Sequence, residues 1–155
     1  MADPQGKPVP APTRETLPFW EGCRRGELMI QRCGECGHFQ FFPRLYCARC
    51  MSERVEWVRA SSRAEVTSFT IVRRPVSAAF AADVPYVVAL VRLEEGPTMM
   101  TNIVGCPPER VAIGMAVEAI FERLTDEIML PKFRPRNGRT TKRGEDAVDQ
   151  SRRKR

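Results

Sequence analysis

The chain has 155 residues, six cysteines and a formal net charge of +6, and 43% of its residues are apolar. That length suits one ordinary domain or two small modules and excludes an α/β barrel. The apolar share excludes wholesale disorder. No run reaches the roughly 18 apolar residues of a membrane span, and the polar, proline-rich stretch 1–12 lacks the apolar segment of a signal peptide. A cytoplasmic location is the expectation; thiols stay reduced there, so the cysteines need an explanation other than disulfides.

Residues 1–133 hold 16 basic and 16 acidic side chains, and residues 134–155 hold nine and three. The whole net charge therefore belongs to the last 22 residues. Poor in apolar groups, residues 136–155 are expected to be a disordered basic tail, and residues 1–15 a disordered N-terminus.

A short helix opens the ordered part. Thr16 suits its N-cap, Pro18 its first turn, and Gly26 the position after its end. Phe19, Trp20 and Cys23 share one helical face. So short a helix needs something to pack on.

The strongest signal follows. Cys33-Gly-Glu-Cys36 and Cys47-Ala-Arg-Cys50 are two Cys-x-x-Cys knuckles ten residues apart. Each knuckle aims two sulfurs at one centre, and four thiolates form the tetrahedral set that structural Zn²⁺ prefers. Apolar stretches at 28–31, 39–42 and 55–58 read as strands bordering the knuckles, so residues 16–60 are expected to form the helix plus a rubredoxin-like zinc ribbon. Iron would accept the same thiolates. Four cysteines leave no open position for a catalytic water, so the metal is structural. His38, the only histidine, is expected to sit exposed beside its knuckle, and Cys23 and Cys106 to be ordinary small apolar residues.

From residue 61 the pattern is β. Strands are expected at 64–73, 86–93, 98–104, 115–121 and 128–133, with a hairpin turn at Glu94-Glu95-Gly96-Pro97 and one helical turn in 107–113. Five strands with a helical element between the third and fourth is the order of an OB-fold barrel, placed at residues 61–135. The fold class is thus mainly β. The loop 78–83 is unusually apolar around Phe80 and is expected to meet a partner or an apolar ligand, or to fold back on the barrel.

This combination resembles the zinc-ribbon/OB-fold proteins, long of unknown function, that accompany thiolase-like enzymes. The resemblance spans about residues 17–135. Phe19-Trp20-Glu21-Gly22, Gly26-Glu27-Leu28 and the two knuckles carry it. So do Asn102-Ile103-Val104-Gly105-Cys106, Ile113-Gly114-Met115-x-Val117 and Leu130-Pro131-Lys132-Phe133-Arg134-Pro135. The Arg-rich extension lies outside the family pattern. The resemblance implies a non-catalytic subunit bound to a thiolase-like protein in a heterotetramer or larger assembly, acting on coenzyme A thioesters in which the partner supplies the chemistry. The chain's own residues agree, because they offer no paired base and nucleophile. Arg73 and Arg74 are candidate contacts for the phosphates of coenzyme A, and Phe80 for its pantetheine arm. The alternative is a single-stranded nucleic-acid-binding OB-fold protein. Against it, zinc-bound thiolates would leave residues 1–133 at about −2.

Overall fold

The computed structural model describes residues 6–136. The tail expected at 136–155 therefore lies, from residue 137, outside the described residues. Residues 6–15, expected to be disordered, rest in part against the barrel, where Lys7 reaches Asp83 at 2.8 Å.

The helix α1 (Leu17–Arg24) begins after Thr16, with proline in its first turn. Thr16 holds the N-cap position without capping. Its hydroxyl turns back and accepts the Thr13 amide at 2.8 Å. At the other end Gly26 takes φ +73°, as a residue leaving a helix through the left-handed region should. Phe19, Gly22 and Cys23 form the buried face. A Cβ on Gly22 would stand 2.3 Å from Met29 Cγ and 2.9 Å from the Glu27 carbonyl, so this glycine is what lets the helix lie on the next strand.

The ribbon sheet has order β2-β1-β3, with β1 (Met29–Cys33) between β2 (Phe39–Gln40) and β3 (Val55–Arg59), all antiparallel. The strand expected at 39–42 stops after two residues. Phe42 adopts φ +69°, and Pro43 has no amide to give to a ladder.

The barrel is closed, with order β4-β5-β6-β8-β7. Its strands are β4 (Arg63–Val72), β5 (Tyr86–Leu93), β6 (Thr98–Ile103), β7 (Ala116–Arg123) and β8 (Met129–Pro135). The expected order of five strands is the one found, and the helical element is a single 3-10 turn, Pro108–Arg110. An irregularity between Val66 and Ser68 bends β4 so that it pairs with β5 along its length and with β7 at its start. The pair Ile103 and Phe133, joining β6 to β8 in parallel, shuts the barrel.

Val66, Val87, Val91, Leu93, Val117 and Phe133 fill the barrel. The same cluster of buried side chains continues into Phe19, Cys23, Leu28 and Ile30. One core thus runs across the junction between ribbon and barrel. The junction is tied by the Glu95 carboxylate, which accepts the Ser61 amide at 2.6 Å, and by the Ser62 carbonyl, which accepts the Ala119 amide at 2.8 Å. Among the described residues no helix is long and apolar enough to cross a membrane.

Candidate metal centre

The four cysteine sulfurs at positions 33, 36, 47 and 50 lie within 4.8 Å of one another. Cys33 Sγ is 3.6 Å from Cys50 Sγ, and Cys36 Sγ is 3.6 Å from Cys47 Sγ. Four sulfurs at a Zn–S distance of about 2.3 Å in a tetrahedron stand about 3.8 Å apart. Two of the sulfur pairs are thus close to the tetrahedral spacing, and the set as a whole is compact enough to surround one cation.

The two knuckles repeat one another in backbone detail. Cys33 donates its amide to the His38 carbonyl, and Cys47 donates to the Ser52 carbonyl, both at 2.9 Å. The Gly37 amide bonds the Cys33 carbonyl, and the Met51 amide bonds the Cys47 carbonyl, both at 3.0 Å. The Glu35 amide points at Cys33 Sγ and the Arg49 amide at Cys47 Sγ, both at 3.4 Å. The fifth residue of each knuckle is left-handed: Gly37 at φ +69° and Met51 at φ +62°. Amides aimed at sulfur are the electrostatic signature of a thiolate site.

The thiols titrate apart. The Cys36 amide leads a set of hydrogen bonds that holds Cys33 down to about 6. At Cys50 the Ser52 amide pulls downward, but the neighbouring cysteine sulfurs and desolvation win and push it up to about 12. Four packed thiols cannot all ionise unaided, and a divalent cation supplies the charge that lets them. His38 is not in the cluster. It is half-buried rather than exposed, and its carbonyl, not its ring, serves the first knuckle.

Two residues that sequence reasoning missed hold the site from beneath. Gln31 on β1 and Gln40 on β2 face one another in register and are both buried. Gln40 Nε2 donates to Gln31 Oε1 at 2.9 Å, and the Ala48 amide, inside the second knuckle, donates to Gln40 Oε1 at 2.9 Å. Their signal in the sequence is slight: two glutamines on short strands, Met29–Cys33 and Phe39–Gln40.

Of the other candidates, Cys23 is fully buried, and burial pushes its thiol up to about 12. It stays protonated at neutral pH and is no nucleophile. Arg73, just after β4, is exposed and pairs with Glu109 at 3.3 Å. Arg74 is exposed. Phe80, in the 3-10 turn Ala78–Phe80, is half-buried, with its ring 6.5 Å from Tyr86 and under the Lys7 ammonium at 5.5 Å. All three lie in the connection from β4 to β5, and Phe80 turns back toward that strand.

A four-cysteine ribbon fused through a common core to a closed OB-fold barrel places the chain in the zinc-ribbon/OB-fold class. Family models match both parts: the ChsH2 rubredoxin-like zinc ribbon domain over residues 20–56 and the ChsH2 C-terminal OB-fold domain over residues 57–122. A DUF35 domain-containing scaffold protein of Pyrococcus furiosus is 34% identical over 136 residues, 84% of this chain and 96% of that one. The chain belongs to this ChsH2/DUF35 family. A solved structure described as the Ltp2-ChsH2(DUF35) aldolase is 36% identical and superposes with a TM-score of 0.74, covering 82% of this chain and 98% of that chain. A probable enoyl-CoA hydratase alpha subunit of Thermomonospora curvata is 36% identical over 129 residues, but the chain spans only 40% of its length.

Proposed function

We propose that this protein is a non-catalytic, zinc-binding subunit of a heteromeric thiolase-like complex that makes or breaks carbon–carbon bonds in coenzyme A thioesters in the cytoplasm. The observation that carries the reading is its likeness, along nearly the whole of that chain, to the ChsH2(DUF35) component of an aldolase. The residues agree with a supporting role. The four candidate ligand positions are all cysteines, and Cys23 is fully buried, with its thiol pushed up by that burial. The contribution of such a subunit is assembly and the shaping of the thioester channel beside the partner's reactive groups.

Two features weigh against single-stranded nucleic acid as the ligand. The barrel's basic side chains are largely matched by acids: Arg63 with Glu94, Arg92 with Glu65, Lys132 with Glu122 and Arg134 with Glu118. Phe69 and Phe121 pack on the core instead of offering open stacking faces.

The test is co-expression with a thiolase-like protein encoded beside it. Stable co-purification, with acyl-CoA cleavage lost when either subunit is omitted, supports the proposal. A thiolase-like neighbour that is fully active alone and never co-purifies overturns it. Within that complex, Arg73, Arg74 and Phe80 are the proposed coenzyme A contacts. Replacing both arginines by alanine is expected to raise KM for the thioester several-fold with little change in kcat, and unchanged kinetics would remove the arginines from the site.

A further inference from the structure

The sulfur cluster is joined to the segment 41–46 by one buried side-chain network. Gln31 accepts the Arg44 amide at 2.8 Å and donates to the Arg44 carbonyl at 3.1 Å, so its side-chain amide pairs with that residue as a neighbouring strand would. Gln40 donates to the Tyr46 carbonyl at 3.3 Å and to Gln31 at 2.9 Å, and it accepts from Ala48 at 2.9 Å. Every acceptor oxygen meets an N–H and every amide nitrogen meets a carbonyl, so flipping either side chain would break the set. Held from inside by its backbone, the segment turns Phe42 and Leu45 outward at 65% and 68% exposure, with Tyr46 half in solvent.

We infer that Gln31 and Gln40 are positioning residues that couple the metal centre to this aromatic loop. Ala48 lies between two metal ligands, Arg44 and Tyr46 lie in the loop, and the two glutamines are the bridge. A metal seated in the knuckles thereby fixes the backbone that presents Phe42, Leu45 and Tyr46, and a slack loop loosens the second knuckle. Side chains that orient a metal site from behind commonly change metal affinity by about 10–100-fold when removed.

The experiment measures zinc release into excess chromogenic chelator from the full chain. Gln40→Leu and Gln31→Leu are expected to release zinc at least about ten-fold faster than the parent. Asn102→Leu is the control. It removes the bond from Asn102 Nδ2 to the Val87 carbonyl, 2.9 Å long and on the barrel, and is expected to leave release unchanged at a comparable loss of thermal stability. Release within two-fold of the parent in both glutamine variants would overturn the inference, as would equal acceleration in the control. If the glutamine variants do not fold, hydrogen exchange in the unaltered protein decides. With zinc bound, the Arg44 and Ala48 amides are expected to exchange slowly, and chelation should release both while the β5 amides stay protected. An Arg44 amide that stays protected after chelation, or β5 amides that exchange with it, would overturn the coupling.

Discussion

Met51 shows how much a single backbone angle can matter. It occupies the place in the second knuckle that Gly37 holds in the first, at nearly the same left-handed φ, and its side chain is 70% exposed. A side chain in that region costs about 1 kcal/mol, and Met51 has little packing to offset it. Met51→Gly is therefore expected to raise the stability of the zinc form by up to about 1 kcal/mol, read as a higher midpoint in urea. The reverse change, Gly37→Ala, has open space around the new methyl, so any loss of stability measures the dihedral strain alone. The ligands behave differently. Cys36→Ala is expected to abolish stoichiometric zinc and to leave the ribbon unfolded, and a folded, metal-free variant would contradict the site. Cys23 offers a pH-linked test. With its thiol pushed up to about 12, it stays protonated well above neutrality, so a thiol reagent at pH 8 should spare it in the native protein and modify it after denaturation.

At the scale of elements, the contact between α1 and β1 depends on Gly22. A methyl there meets a backbone oxygen as well as the movable Met29 side chain, so repacking cannot relieve it fully. Gly22→Ala is expected to lower stability by about 1–3 kcal/mol, checked by denaturant titration. Helix, knuckles and barrel strands were legible in the sequence because their signals are local: a cap, a two-residue spacer, an alternation. Residues 86–93 were expected as a strand and are one. Phe39-Gln40-Phe41-Phe42 misled because its apolar content suits a strand, while the bend enforced by Phe42 and Pro43 depends on the loop beyond. Thr16 stands at the cap but accepts no amide of the helix, since its hydroxyl is engaged by Thr13. Gln31 and Gln40 were invisible for a related reason. A glutamine on a strand reads as solvent-facing until its hydrogen-bond partners are known.

For the whole molecule, the shared core makes ribbon and barrel energetically dependent. Both tryptophans, Trp20 and Trp57, lie in the N-terminal part, so their fluorescence reports on the ribbon, whereas far-UV circular dichroism is dominated by the barrel. Thermal unfolding of the zinc form is expected to give one coincident transition by the two probes, and a ribbon that melts separately would show the core to be two. The composition hinted at two modules because strand periodicity and cysteine spacing change near residue 60. What joins them, a buried cluster that holds Cys23 and Leu28 together with Val66 and Phe133, is long-range and leaves no mark in either half alone.

The closure of the barrel carries one more consequence. The ring of five strands is closed, but two of its seams are short: β6 and β8 pair only at Ile103 and Phe133, and β4 pairs with β7 only over residues 63–65, so closure limits strand addition without abolishing it. The three-stranded ribbon sheet keeps two open margins. One is the two-residue β2, and the other is β3, which carries the exposed charges of Glu56 and Arg59. Recognition by the barrel is therefore weighted toward side chains and shape. The shortness of β2 and the charges on β3 discourage edge-to-edge self-association at the ribbon.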